Sequence, residues 1–329
     1  MTIAERELIA RVRRIAAVRN PAVAKSIGDD CAVLRIAARS SPGSRSPIAD
    51  DVLVTTDFSL EGIHFRRDWH SPESIGHRCL ARGLSDIAAM GGKPVAAFLS
   101  LALPSKIPQA WVDRFTRGFL ALAKKYGVTL AGGDTAESPS GILADIVVVG
   151  SVARGAAVLR SGAKPGHSIY ATGELGGSAA AYMQMKKGAK LKAGDYERHF
   201  FPEPRIEVGK FLREKQIATA MIDTSDGLST DLSHVCEESG VGAEIYEKLI
   251  PRARTGRTLR RVDPALALHG GEDYELLFTA RGKKVPARIS GVPITEIGRI
   301  TAGRKIRLIS EDGKARELKP QGWEHFRKR

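Results

Sequence analysis

Acidic residues stand beside Gly, Ser or Thr in short clusters along this chain: GDD at 28–30, TTD at 55–57, SD at 85–86, GGD at 132–134, DTSDG at 223–227 and GGED at 270–273. Carboxylates that gather cost stability. Two of them about 4 Å apart repel by roughly 4 kcal/mol at an effective dielectric near 20. A chain that gathers several needs cations to hold them. Hard oxygen ligands suit Mg²⁺, which is usually held by a few carboxylates together with substrate phosphates. The clusters therefore point to a Mg²⁺-dependent site for a phosphorylated ligand. Gly28, Gly132, Gly133 and Gly227 adjoin these acids, where backbone must come close to a ligand. Taken singly, each cluster has a plainer reading. An Asp at a strand end caps a turn or helix, as Asp226 before Gly227 would, and Asp86 could be a polar residue on a helix face.

Other phosphate motifs are missing. No GxxxxGK[ST] occurs, and no protein-kinase HRD or DFG string. TGELGGS (172–178) sets glycines ahead of a helix N-terminus; it is either a phosphate contact or a structural strand-to-helix turn. His64, in EGIHF shortly after TTD, is either packed or part of the site, and the remaining His residues show no zinc spacing.

Most clusters fall where a predicted strand meets a loop or helix. Helical spacing covers 5–18, 72–90 (Ser71 as cap, Pro72 first) and 108–126, closed by Gly127. Residues 31–37, 52–56, 127–133 and 142–153 read as strands, and 94–104 as a buried strand. The Ser-, Pro- and Gly-rich stretch 39–51 reads as a hairpin tip, and 160–167 as a linker. The second half alternates strands and helices in the same manner. Strands are expected at 168–173, 218–224, 242–246 and 274–280, and helices at 176–188, 204–216 and 227–240, before a basic, Gly/Pro-punctuated tail. This order predicts mixed α/β architecture with a boundary near Gly155.

The 329 residues, 43% of them hydrophobic, suffice for two domains with cores of their own. The formal net charge of +14 favours anionic ligands. Lys and Arg are scattered apart from the terminal RKR, and no nucleic-acid motif is present, so no specific nucleic acid is expected. Cys31, Cys79 and Cys236 lie far apart without a CxxC, which fits a reducing compartment. The N-terminal stretch lacks the apolar core of a signal peptide, and no run of about 18 apolar residues suggests a membrane span. The expected location is cytoplasmic.

In this order, GDDCAVL, TTDFSLEGIHF, GLSDIAAMGGKPVAAFLSLALP, LAGGDT, RSGAKPG, DTSDGLSTDLSH and GGEDYELLF resemble the thiamine-monophosphate kinases, of the aminoimidazole ribonucleotide synthetase superfamily. The resemblance runs from about residue 24 to GWEHF near the C-terminus. SDIAAMGG and GGDT recur across the superfamily; with GGEDYEL they are specific in combination. The stretch FSLEG departs from a TLVEG-like string frequent in relatives, and the 39–51 segment is longer than usual.

The resemblance implies an α/β (α+β) fold of two mixed α/β domains. Residues 1–155 would carry most metal-binding acids and the dimer interface, and 156–329 would complete the nucleotide and substrate site. It implies a homodimer that pairs N-terminal sheets, with ATP in a cleft at the domain boundary. The implied reaction is direct in-line transfer from ATP to thiamine monophosphate, giving thiamine diphosphate, with several Mg²⁺ ions. Asp30, Thr55, Thr56, Asp57, Asp86, Asp134, Asp223 and Asp226 match metal-binding positions. Tyr126, Gly133, Asp134, Arg160 and Ser225 match nucleotide-binding positions, and His64, Glu272 and Trp323 match positions facing the thiamine phosphate. Asp57, Asp223 and Arg160 would act by neutralising charge. Phosphoryl transfer is mostly positioning and electrostatics, and an ionised acceptor oxygen needs no strong general base. Arg160 could grip phosphate through two donors. Trp323 would stack on the cationic thiazolium or merely pin the tail, and Glu272 would oppose the same charge.

Other readings diverge at identifiable points. A selenophosphate synthetase would carry its reactive Cys in an N-terminal glycine-rich loop, whereas Cys31 follows the GDD acids. A hydrogenase-maturation relative would end in a cysteine-bearing tail, and this chain ends in HFRKR. An aminoimidazole ribonucleotide synthetase would lack EGIHF and GWEHF beside GGEDYEL. A nucleotide-sensing or nucleic-acid-binding protein without turnover would suit the +14 charge, but every acidic position is intact.

Overall fold

Two ten-residue strands, Asp51–Leu60 and Leu143–Val152, pair antiparallel along their whole length. Their side chains alternate between covered and open with the two-residue period of a sheet. The computed structural model, which describes residues 5–16, 20–35, 50–282 and 284–326, builds a six-stranded sheet around them. Its strands are β1 (Val23–Lys25), β2 (Ala32–Leu34), β3 (Asp51–Leu60), β4 (Lys93–Leu103), β5 (Thr129–Glu137) and β6 (Leu143–Val152), in the order β1-β2-β3-β6-β4-β5. Only β4 and β5 run parallel, because a helix makes the crossover between them.

The helices of this half are α1 (Glu5–Ile15), α2 (Pro72–Ala89) and α3 (Gln109–Tyr126). The expected start of α2 is realised: Ser71 Oγ accepts from the Ser74 N–H at 3.2 Å, and Pro72 takes the first turn. Gly127, at φ 65°, ends α3. Where α2 and α3 meet there is no room for a side chain. A Cβ on Gly76 would lie 2.0 Å from the Phe115 carbonyl oxygen, and one on Gly118 would lie 2.0 Å from that of Glu73. Leu80, Leu84, Ile87, Phe115 and Phe119 are fully buried around this contact.

The second half contains β7 (Ser168–Thr172), β8 (Ala218–Asp223), β9 (Gly242–Tyr246), β10 (Arg254–Thr255), β11 (Arg260–Arg261), β12 (Leu276–Ala280), β13 (Arg288–Ile289), β14 (Val292–Thr301), β15 (Ile306–Ile309) and β16 (Ala315–Glu317). They form an eight-stranded sheet, β16-β15-β9-β14-β7-β12-β8 with β13 paired to β14, and a separate β10–β11 pair. Its helices are α4 (Gly177–Lys186), α5 (Glu197–Phe200), α6 (Ile206–Glu214), α7 (Leu228–Ser239) and α8 (Pro264–His269). One continuous core joins the halves: Leu53, Ile87 and Val148 belong to the same cluster as Val208, Leu212, Met221 and Phe278.

Two expectations are corrected. Residues beyond 280 are not a tail but β13 to β16. Ile294, Ile297 and Ile300 are buried at a spacing of three, because β14 carries a register shift between Glu296 and Gly298 that hides the strand period. β4 is not buried on both faces. Helices α2 and α3 cover only one, and Val95 and Phe98 stay 47% and 39% exposed on the other. The hairpin-tip reading falls almost wholly on residues 36–49, outside the described residues; Asp51 opens β3. Among the described residues no helix is long and apolar enough to cross a membrane.

The helix contact yields a stability prediction. Gly76→Ala and Gly118→Ala should each force α2 and α3 apart, at a cost of about 1–3 kcal/mol. Urea unfolding would show lower midpoints at unchanged slope. Wild-type midpoints in both variants would contradict the packing described.

Candidate active site

Both sheets contribute to one cleft of about 540 Å³, lined by Asp57, His64, Arg82, Asp86, Asp223, Ser225, Asp226, Glu272 and Trp323 among others. Strand alternation sends Thr55 and Asp57 to one face of β3. The last turn of α2 carries Ser85 and Asp86 as neighbours. The Ser85 hydroxyl donates to Asp223 Oδ2 at 2.6 Å, and the Thr55 hydroxyl donates to the Asp86 carboxylate. These two bonds tie β3, α2 and the end of β8 together at the cleft floor.

Asp30, Asp86 and Asp223 each place one carboxylate oxygen there, all within 4.8 Å of one another. Burial pushes the Asp86 carboxyl well above the usual carboxylate range, and Asp57, Asp223 and Asp30 push it further. Burial and then Asp30 raise Asp223 to about 7, and burial and then Glu5 raise Asp226 to about 6. Burial also raises Asp30 and Asp57, against the pull of Arg160 and Arg82 respectively. Asp30 Oδ2 is buried with no hydrogen-bond partner. A hard divalent cation would satisfy that oxygen and relieve the repulsion, and the all-oxygen donor set fits Mg²⁺.

The other expected residues divide into two groups. His64, Ser225, Asp226, Glu272 and Trp323 line the cleft. His64 Nδ1 accepts from the Leu60 N–H at 3.0 Å, and burial, then Arg82, lower its pKa to about 3, so the imidazole is neutral. The Trp323 backbone N–H donates to the Asp226 carbonyl at 3.0 Å while the ring packs edge-on to His325. It thus pins the tail and faces the cleft at once. Glu272 sits at φ 63°, a strained setting for a residue with a side chain, fixed by its N–H on the Ser225 carbonyl at 2.7 Å. Burial would raise its carboxyl, but Arg78 and Arg82 outweigh it and hold the group at about 2.

The remaining residues lie off this cleft. Arg160 is turned to Asp30, at 2.7 Å from Nη2 and 3.2 Å from Nε. Thr56 points away from Thr55, its hydroxyl donating to Asp145 Oδ1 at 2.9 Å on the open face of the sheet. Gly133 and Asp134 are exposed on the edge strand β5. Tyr126 donates to Glu203 and lines a different cleft, with Lys125, Arg198 and Arg205. The TGELGGS turn takes its structural reading: Asp273 accepts from the N–H groups of Gly176 at 2.5 Å and Ser178 at 3.2 Å, so the start of α4 is already capped by the chain itself.

Sequence reasoning missed Ser85, Arg78 and Arg82. A signal existed. Arg78, Arg82 and Asp86 recur every four residues in HRCLARGLSD, so they share a helix face.

The crowded acids make a pH prediction. Unfolded Asp titrates near 3.9, roughly. A carboxyl raised by folding contributes stability that is whole below the unfolded value and lost as pH rises to the folded one, here about 7. In EDTA, Asp223→Asn should therefore gain melting temperature on the wild type from about pH 4 to about pH 7 and run parallel above. Parallel profiles across that window would contradict the crowding.

Residues 28–152 match the N-terminal domain of AIR synthase related proteins, and residues 164–311 match the C-terminal domain. The thiamine-monophosphate kinase of Escherichia coli (strain K12) is 39% identical over 314 residues, 91% of this chain and 91% of that one. The Bacillus subtilis (strain 168) enzyme is 35% identical over 84% of this chain and 88% of its own. The solved structure of AaThiL complexed with AMPPCP and TMP is similar with a TM-score of 0.82 at 30% identity, covering 98% of this chain and 97% of that one. A match of this extent, across both domains, makes the chain a member of the thiamine-monophosphate kinase family within the AIR synthase related proteins.

Proposed function

We propose that the chain phosphorylates thiamine monophosphate with ATP, giving thiamine diphosphate and ADP. The observation that carries this reading is one cleft in which the half-buried Asp86 and the buried Asp223 face a rim of His64, Glu272 and Trp323, in a chain of this family. A relative that holds AMPPCP and TMP supports the pair of substrates.

Asp30, Asp57, Asp86, Asp223 and Asp226, with the Thr55 hydroxyl, would hold Mg²⁺. When bound, Mg²⁺ neutralises phosphate charge and aligns donor with acceptor. Asp57 and Asp223 serve transfer by charge, not by taking a proton. The acceptor phosphate is ionised near neutral pH, and the neutral His64, with Nδ1 occupied by Leu60, orients the substrate. Glu272, held ionised, opposes the cationic thiazolium, and the Trp323 ring stacks on it. Ser225 borders the nucleotide. Arg160, paired here with Asp30, would offer its guanidinium fork to a nucleotide phosphate.

We also propose a homodimer that pairs the N-terminal sheets. Phe58, Val95 and Phe98 are 54%, 47% and 39% exposed on the open face, the latter two on β4 beside the edge strand β5. Thr56, Gly133 and Asp134 lie on this face and edge, and Tyr126 leads into β5. Their expected metal and nucleotide roles would then belong to a site completed by pairing. Three buried free cysteines suit a cytoplasmic setting.

Incubation with ATP, Mg²⁺ and thiamine monophosphate should yield equal amounts of thiamine diphosphate and ADP, and chelation should abolish both. ADP without thiamine diphosphate would mean another acceptor. Asp57→Asn should lower kcat by about a hundredfold or more with the fold intact; near-normal turnover would sink its assignment. In sedimentation equilibrium the protein should show twice the chain mass, and Phe98→Asp should shift it toward the single chain. A monomeric wild type would exclude the pairing.

A further inference from the structure

The face of α2 that leads to Asp86 brings two guanidinium groups to one carboxylate. Arg78 gives Nη2 to Glu272 Oε2 at 2.7 Å and Nη1 to the His199 carbonyl, and its side chain is only 5% exposed. That pair alone neutralises Glu272. Arg82 is held less completely. Nη1 reaches Glu272 Oε1 at 3.3 Å, while Nε lies 3.8 Å from Asp57 Oδ1, beyond hydrogen-bond range. Nε is buried yet has no hydrogen-bond partner. The side chain lines the cleft between Asp57 and Glu272. A buried N–H without an acceptor is costly, and a guanidinium fork is matched to phosphate oxygens. Charge counting agrees. Two cations already face Glu272, and Asp57 is among the acids proposed to hold Mg²⁺, so a metal there would leave Arg82 with surplus positive charge.

We infer that Arg82 contacts substrate, offering its Nε edge to a phosphate oxygen of the phosphomonoester acceptor between Asp57 and Glu272. This rests on the kinase reading and adds a residue to it. The acceptor is favoured over the nucleotide because Arg82 shares Glu272 with the His64 and Trp323 rim. Arg160, which does not line this cleft, is the cation expected for the nucleotide.

The test measures KM for thiamine monophosphate and for ATP separately in wild type, Arg82→Gln and Arg82→Lys, each confirmed folded by its melting temperature. Arg82→Gln should raise KM for thiamine monophosphate by about tenfold to a hundredfold, with KM for ATP within about twofold. Arg82→Lys should recover part of the loss, since it restores charge without the fork. An unchanged KM for thiamine monophosphate, or equal rises in both constants, would overturn the inference in favour of a structural clamp. If Arg82→Gln does not fold, Arg82→Lys decides: a selective rise for thiamine monophosphate supports the contact, and wild-type constants overturn it. A wild type that makes no thiamine diphosphate would defeat the kinase reading instead. Arg82 would then be judged with inorganic phosphate and Mg²⁺. A melting-temperature gain in wild type that is lost in Arg82→Gln, or in Arg82→Lys should Gln not fold, supports a phosphate contact; equal gains overturn it.

Discussion

Repulsion among buried carboxylates is the constraint on which the rest of the structure turns. Asp30, Asp86 and Asp223 come from the loop before β2, from the end of α2 and from the end of β8, yet their oxygens converge within 4.8 Å. Removing charges from water and setting like beside like is unfavourable twice over. The chain offsets part of this with its own groups. Arg160 pairs with Asp30, while Ser85 and Thr55 donate to Asp223 and Asp86. The remainder shows as carboxyl groups that hold protons above their ordinary range. A divalent cation among these oxygens would relieve that repulsion.

The same reasoning explains why the halves share one core. Acids supplied by separate sheets would drift apart unless the surfaces between them were packed. α2 does that work. It buries Leu80, Leu84 and Ile87 in the first half, sends Ser85 to Asp223 in the second, and presses α3 so closely that glycine stands at both contact points. Opposite the acids, the loop before β12 is held in place by different means. Glu272 and Tyr274 adopt left-handed backbone at φ 63° and 51°, and Arg78 and Arg82 hold Glu272 from α2. Strained backbone persists where the surroundings over-determine it. Negative charge thus gathers on the cleft floor, and one rim is built from guanidinium groups and a single compensated carboxylate. That division is what the proposed pair of phosphorylated substrates, with cations between them, would call for.

The amino-acid order alone determined much of this. The caps at Ser71 and Gly127, the helical spacing of 72–90 and 108–126, and the acid-bearing motifs in sequence were sufficient for the α/β class and the family. They were legible because each is a local property of a few consecutive residues. Only the tertiary structure separated Thr55 from Thr56, since neighbouring strand residues point to opposite faces and a cluster in sequence is not a cluster in space. Only it showed the open face of β4, which an apolar run cannot distinguish from a strand buried on both sides. The register shift in β14 erased the period that would have revealed that strand. Arg82 gains its meaning from Asp57 and Glu272, residues far from it along the chain. Such partners are chosen when the two halves pack against each other, and no local pattern records that choice.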